Sequence, residues 1–466
     1  MKISKIYIKN FDQFQDVELN FTNPLTEKPL DKICFIGSNG TGKSKILKLI
    51  NWFFNVALTS LRKPRQFFPK LSENPRSKII FTIVHKTQRF AILYFQEEVI
   101  IFNISKLGKA DEENLINELV SSNTIADIVK VGNYKNLTES TLNESLLNEL
   151  LLQNNSKDLL IYSPDESRHN YYSEIDDVPK TNVSDALELF QSLPFFAQVS
   201  SETVDIFWKV LVYNLKKRDD EREKFERQTE NLNKTKAQLI EEFDKANPKI
   251  LDVIAKIWNK ILAKAGLEFD VAGASNPIQL TDNLKAYIRL KHSKQVIPYS
   301  ELSTGIRNFI FRIGHVGSLY FNREIERGFM LIDEPENGLF PDFLFELMET
   351  YQKIIVDKNN KNNTQMFFAT HNPIIAAQFE PYERIILDWK EDGSVIVKKG
   401  QAPIGDDPND LLSNDFELRN LMGPEGQIMW EKYQSLKKKL IREKDNSKKD
   451  ELIKQISQLG SLYNFS

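Results

Sequence analysis

The chain has 466 residues, enough for two or three domains and a large core, and its 41% hydrophobic and 27% charged composition is that of a soluble globular protein. A formal charge of −3 carries no global nucleic-acid signal, so any such binding has to come from local patches. A single cysteine, Cys34, excludes an internal disulfide framework and suits a reducing cytosol; with five histidines it is too sparse for a multi-cysteine zinc site, and no stretch approaches the ~20 apolar residues of a membrane span.

The opening MKISKIYIKNF lacks the long apolar core and small-residue cleavage site of a secretory signal. Ile3, Ile6 and Ile8 alternate with polar neighbours, as in a half-buried strand, and DVELNF (16–21) repeats the pattern. Residues 33–36, ICFI, form a short continuous apolar run, which predicts a strand buried on both faces with Cys34 as an apolar filler. GSNGTGKS follows at Gly37, Ser38, Asn39, Gly40, Thr41, Gly42, Lys43 and Ser44, and fits GxxxxGK[ST] in full. Ile46, Leu47, Leu49, Ile50 and Phe53 then take helical spacing. The glycines let the backbone curl so that successive N–H groups face phosphate oxygens, and the following helix adds its N-terminal positive end. Lys43 is placed to reach the β and γ phosphates of ATP, and the Ser44 hydroxyl to ligate Mg²⁺.

Residues 62–78 are basic: Arg62, Lys63, Arg65, Lys70, Arg76 and Lys78 stand against Glu73, with Phe67 and Phe68 between them. This is either a solvated surface loop or a contact to a nucleic-acid backbone. Stretches 77–84, 89–96 and 97–104 read as an antiparallel meander. Residues 106–160 are polar with leucines at helical spacing, and 159–173 read as a strand running into a loop that carries Arg168, a residue suited to phosphate or to a nearby acid. Residues 216–262 are dense in charge. Within 205–246, one or two long helices are expected, with Phe225, Leu232, Leu239 and Phe243 as a short coiled-coil seam.

Residues 283–305 suggest a hairpin leading to LSTG, where Ser303 and Gly305 open a helix. GFMLIDEPENGLFP (328–341) is a second buried strand, ending in Asp333 and Glu334. Ligands of α/β sheets lie at the carboxyl ends of strands. There Asp333 can hold the Mg²⁺ shell, and Glu334 can orient or deprotonate an attacking water. TQMFFATHNP (364–373) repeats the design: a strand ends at Ala369, Thr370 and His371 emerge, and Pro373 begins a helix. Residues 404–466 are a charged tail with a helix expected from about Glu425.

Taken together, GSNGTGKS, LSTGIRN, MLIDEP, ENGLFP and THNP resemble the five ATP-site motifs of ABC-type ATPases, in the SMC-like and OLD-like soluble branch. The resemblance covers roughly 1–105 and 283–390. It implies an α/β ATPase head, with a P-loop sheet flanked by helices and an antiparallel meander, in two lobes, 1–105 and 283–400. A mainly helical insertion with a short coiled-coil arm (106–282) and a helical tail for partner docking (401–466) complete the chain. It further implies ATP and Mg²⁺, with Asp333 as the second-motif aspartate, Glu334 as catalytic base and His371 as switch histidine. Two heads would pack head to tail, so that Ser303 and the Gly305 N–H act on the other copy's phosphate loop. Glu336 and Asn337 would lie in the loop that crosses this interface. Ile306 replaces a residue that is polar in many signatures, and Phe340 one that is often histidine. The glutamine of the family's Q-loop has two candidates, Gln88 and Gln96.

The size and modest arm look similar to the PtuA-type ATPase subunits of bacterial anti-phage systems, Septu and retron-associated. The function implied is a cytoplasmic ATPase that dimerises, or forms a higher oligomer, and regulates a separate effector, a nuclease. About 75 residues follow the last sheet motif, too few for an OLD-type nuclease domain, and GDDPND is an isolated acidic turn. The alternative is an SMC- or RecF-like DNA repair or DNA-end ATPase, whose partner is nucleic acid itself.

Overall fold

The computed structural model describes residues 1–57, 74–96, 98–130, 136–137, 157–165, 196–199, 218, 220–231, 233–247, 250–270, 288–297, 301–321, 325, 327–356, 362–418, 423–463 and 465. Strands β1 (Lys2–Phe11) and β2 (Phe14–Asn20) form a hairpin, and β3 (Lys32–Gly37) leads into helix α1 (Lys43–Trp52). A meander of β4 (Lys78–His85), β5 (Gln88–Phe95) and β6 (Glu98–Asn103) follows. Next come helices α2 (Lys109–Ser121) and α3 (Ile125–Lys130), then strands β7 (Asn136–Leu137), β8 (Asp158–Ser163) and β9 (Phe196–Gln198). Helices α4 (Lys236–Ala246) and α5 (Ile250–Leu262) precede three short strands, β10 (Leu267–Phe269), β11 (Ile288–Leu290) and β12 (Val296–Ile297). The second half holds α6 (Thr304–Phe321), β13 (Arg327–Asp333), α7 (Pro341–Leu344), α8 (Leu347–Ile354), β14 (Thr364–Ala369), α9 (Pro373–Ala376), β15 (Arg384–Trp389) and β16 (Val395–Lys399).

The two hydrophobic patterns give two kinds of sheet. The alternating hairpin β1–β2 and the more deeply buried meander form an antiparallel sheet in the order β2-β1-β4-β5-β6-β7. The continuous apolar runs form a seven-stranded sheet in the order β16-β15-β3-β14-β13-β8-β9, parallel except for the edge strand β16. The expected α/β class, with parallel sheet, meander and helical C-terminal region, is what the chain adopts. The stretch 106–282, read above as a mainly helical insertion, contributes β8 and β9 to the parallel sheet. A β8 buried along its whole length lies beside β13. Residues 1–405 and 406–466 are separate compact units.

Aromatic packing ties α1 to both sheets. The helix runs into a turn of wider π-helix at Phe53–Ala57. Phe53 stacks on Phe81 of β4 (centroids 3.8 Å apart) and Phe54 on Phe329 of β13 (4.4 Å). All four rings are fully buried. A second tie is polar. Gln365 of β14, fully buried, accepts from the Ile3 N–H (2.7 Å) and donates to the carbonyls of Ile3 (2.8 Å) and Leu30 (2.9 Å). At the same end of the sheet the buried carboxylate of Asp158 pairs with Arg327, whose Nε donates at 2.8 Å.

One expectation is corrected here. Lys78, counted among the basic residues of 62–78, is 3% exposed. Its Nζ donates to the last carbonyls of α2, Leu119 (2.7 Å), Val120 (3.0 Å) and Ser122, so it caps a helix and is withdrawn from solvent. Residues 58–73, with the other five basic side chains except Arg76, lie outside the described residues, as does Arg168. Within 205–246, where one or two long helices are expected, the described residues form two helical stretches separated by a turn. The first helical stretch ends by Arg227, a 3₁₀ turn occupies Thr229–Asn231, and Thr235 starts α4 with a capping box to Gln238. Phe225 then meets Phe243 across the turn (5.6 Å), and Arg218 pairs with Asp244. Two residues of the expected coiled-coil seam thus face each other inside one chain; Leu232 lies outside the described residues.

The C-terminal unit comprises α10 (Pro408–Asn414), α11 (Pro424–Arg442) and α12 (Asn446–Tyr463). Proline at the first position of α11 sets the expected start near Glu425. Trp430, Tyr433 and Phe465 form its aromatic cluster, with centroids 5.1–5.7 Å apart.

Gln365→Leu keeps the volume but strands three buried backbone groups. It should lower unfolding free energy in urea by about 3 kcal/mol; a loss within the error of the parent would show that these bonds hold little. His85 and His315 are buried, and burial lowers both imidazoles from 6.5 to about 4. The unfolded chain therefore takes up those protons first, so stability held above pH ~6.5 is lost as pH falls toward ~4. His85→Gln lacks this penalty, and its stability relative to the parent should rise between pH ~7.5 and ~5.

Candidate active site

Strand register sets the site. Asp333 of β13 pairs with Ala369 of β14, and Ala369 with Phe35 of β3. Gly37 in turn pairs with Leu387 of β15, and Ile332 with Ser163 of β8. The next residues of five adjacent strands therefore emerge at one edge: Pro164 and Asp165, Glu334, Thr370 and His371, the 37–44 loop, and Asp388 and Trp389.

Gly42 caps α1 at φ +104°, and a Cβ there would sit 2.4 Å from the Phe14 ring, so only glycine fits. The Thr41 side chain is buried and donates to the Ser38 carbonyl (2.8 Å). It therefore braces the loop from inside, and what it offers a ligand is backbone. Lys43 folds back, its Nζ donating to the carbonyls of Gly37 (2.8 Å) and Ser38 (3.2 Å). Burial lowers its ammonium pKa, against the pull of Glu334 and then Asp333. Ser38, Asn39 and Gly40 are exposed. Ser44 Oγ donates to Asp333 Oδ1 at 3.0 Å, joining motifs 289 residues apart in the chain.

Two further acids, Glu334 and Glu336, lie beside this pair. Burial raises the carboxyl pKa of Asp333, opposed by the Ser44 hydrogen bond, and raises those of Glu334 and Glu336 as well. Glu334 and Glu336 face each other, and the charge of Glu334 adds to the upward shift that burial gives Glu336. Both carboxyl groups are therefore pushed toward the neutral form, because two like charges on a poorly hydrated edge oppose each other. Thr370 Oγ1 donates to Glu336 Oε1, and His371 Nδ1 stands 2.7 Å from Glu334 Oε2. One ligand atom from each of Glu334, Glu336 and His371 falls within 4.8 Å of the others, a spacing that can also hold a cation. The Ser44 hydroxyl with the Asp333 carboxylate is the hard-oxygen set that Mg²⁺ takes alongside water.

Glu334 has a left-handed backbone, φ +45°. Such a conformation costs a non-glycine residue of order 1–3 kcal/mol unless its surroundings hold it. Its N–H donates to the Ala369 carbonyl (2.8 Å). Buried Arg312, two turns into α6, donates Nη1 to the carbonyls of Glu334 (3.2 Å) and Asp333 (3.4 Å) and Nη2 to that of Pro164 (2.9 Å). At the start of α6, Ser303 is exposed and its Oγ accepts from the Ile306 N–H (3.4 Å). Gly305 packs on the loop after Glu334; a Cβ there would meet the Gly338 carbonyl oxygen at 1.8 Å.

The sequence-derived candidates Lys43, Ser44, Asp333, Glu334 and His371 thus share one edge. Ser303 and Gly305 belong to a turn beside the 334–338 loop. Glu336, expected in a loop that crosses a dimer interface, is 6% exposed, and its Oε1 accepts from Thr370. Asn337 Nδ2 donates to Asp165 Oδ1 at 2.6 Å. Both Q-loop candidates lie in hairpin turns of the antiparallel sheet, Gln88 opposite His85 and Gln96 after β5. The glutamine that touches the phosphate loop is Gln13, whose Nε2 donates to the Gly40 carbonyl (3.2 Å). No motif marks Gln13 or Arg312. The signal available was Gln13's place in a two-residue turn between alternating strands.

A family model described as an AAA ATPase domain matches residues 1–376. Among solved structures, the SMC head domain from Thermotoga maritima is similar at 12% identity, over 86% of this chain and 100% of that one, with a TM-score of 0.38. No curated protein matches.

Gly305→Ala must push α6 away from the 334–338 loop. The substituted protein should keep nucleotide binding within about threefold while turnover falls at least about tenfold. Unchanged turnover in a steady-state phosphate-release assay would show that this contact does not position the 334–338 loop for activity.

Proposed function

Because the chain belongs to the AAA ATPase domain family, we propose that it binds ATP on the 37–44 loop and hydrolyses it to ADP and phosphate. The observation that carries this reading is the 3.0 Å hydrogen bond from Ser44 to Asp333, which joins the loop after β3 to an acid at the end of β13, two strands away. Backbone N–H groups of the loop and the amino end of α1 receive the phosphates. Lys43 exchanges its two carbonyl partners for the β and γ oxygens. Ser44 and Asp333 hold Mg²⁺, which supplies charge neutralisation at the phosphates when bound. Glu334 accepts a proton from the attacking water, and the buried Glu336 beside it helps to raise the affinity of that edge for a proton. His371, 58% exposed at its side chain, reaches the γ-phosphate side from the end of β14.

The exposed Ser303 and the amino end of α6 act in trans. Two copies pack head to tail, and each closes the other's site, with the 68% exposed Phe340 in the contact. On the sequence resemblance we further assign the chain to anti-phage defence, as the ATP-driven regulator of a separate effector nuclease. The C-terminal helical unit, with Ile428, Ile441, Ile453 and Leu462 exposed, is the surface offered to that partner. Among the described residues, no helix is long and apolar enough to cross a membrane.

Lys43→Ala should abolish measurable ATP binding. Glu334→Gln should bind ATP as the parent does, lose about 10²–10⁴-fold in turnover, and accumulate as an ATP-dependent dimer in light scattering; rapid turnover by that variant removes Glu334 as base. Mixing Lys43→Ala with Ser303→Arg places both lesions on one composite site and leaves the other whole. The mixture should recover activity that neither parent has, and a mixture as inactive as its components excludes action in trans.

A further inference from the structure

The phosphate site has a direction. The acids and His371 lie at the ends of β13 and β14, on one side of the loop strand β3. A triphosphate with its γ end toward them points its nucleoside to the other side of β3, where the sheet continues into β15. That strand ends in Trp389. Leu387 pairs with Gly37, so Trp389 emerges two residues on, level with the exposed start of the loop.

Trp389 is one of the few large apolar side chains exposed at this edge, at 41%. Its Cζ2 lies 3.5 Å from the position a Cβ on Gly40 would take, so the ring stands against the loop at van der Waals distance. The mount is firm. The Trp389 N–H bonds Asp388 Oδ1 (2.8 Å), Asp388 pairs with Lys398 of the next strand (3.1 Å), and Trp389 faces Val395 in the β15–β16 hairpin. The Val395 N–H in turn donates to the carbonyl of Gln13 (3.1 Å), the same residue that holds Gly40 through its side chain. An indole fixed beside a phosphate loop, with part of its surface open, is a ready platform for a flat ring.

We infer that Trp389 is the seat of the nucleobase: it stacks on the purine of the triphosphate bound at 37–44, and the β1–β2 turn with Gln13 forms the opposite wall. The inference rests on the proposed function for its ligand. Stacking is indifferent to base edges, so adenine and guanine both gain from it. It adds nothing for a ligand without a base.

The test compares ATP with inorganic tripolyphosphate, both with Mg²⁺, by calorimetry on the full chain and on Trp389→Ala and Trp389→Phe. Trp389→Ala should weaken ATP roughly tenfold or more and leave tripolyphosphate unchanged; Trp389→Phe should keep ATP within about threefold of the parent. Tripolyphosphate binding also reports that the variant loop is folded. Equal losses for both ligands in Trp389→Ala, or no loss for either, overturn the inference and leave the ATPase reading standing. If the parent chain binds neither ligand, the proposed function falls, and this inference falls with it.

Discussion

The alignment of strand ends governs the molecule. In a parallel sheet the backbone hydrogen bonds fix each strand against its neighbour, and a slip of one residue would turn every side chain to the other face. The row Phe35, Ala369 and Asp333 lies side by side near the carboxyl ends of three neighbouring strands. Beyond it the chain is free to turn, and all the polar chemistry is gathered there. Continuous apolar runs on β3, β13 and β14 make that register costly to change, because no polar face exists to receive a slipped strand.

Such a gathering opposes stability locally. Three carboxyl groups share a poorly hydrated edge, and Glu334 is held in a backbone conformation that its side chain disfavours. The offset comes from elsewhere. Arg312 spends three hydrogen bonds on main-chain carbonyls around the acids, and the stacked phenylalanines at the end of α1 anchor the loop helix to both sheets. Because α6 carries Arg312 and Gly305 and directly follows Ser303, a shift of that helix alters the exposed turn and the Glu334 backbone in one motion.

Much of this was legible in the sequence, for a physical reason. A phosphate loop, an acid pair after an apolar strand and a His-Asn-Pro turn are contiguous, and short-range rules determine them. The α1 helix, β13, β14 and the start of α11 follow the same way. What a local pattern does not carry is the partner of a residue. LLIYS reads as a strand, but that it pairs with β13 and extends the sheet is a long-range fact. Lys78 looks like one of a basic set until its Nζ is found on the end of α2. Glu336 reads as a loop residue and is buried, since the turn after Pro335 folds it inward onto Thr370. Phe225 and Phe243 keep helical spacing, yet an interrupted helix brings them face to face. Gln13 and Gln365 act through single contacts that no period announces.

Topology also imposes a schedule on synthesis. Strand β3 has β14 on one side and β15 on the other, and both arrive more than 300 residues after it. A ribosome adding roughly 5–20 residues per second needs on the order of 15–65 s to deliver them. Throughout that interval the phosphate loop hangs from a strand whose apolar run, residues 33–36, has neither neighbour. The nascent chain thus carries a sticky apolar edge for most of its translation, the kind of surface that holdase chaperones bind.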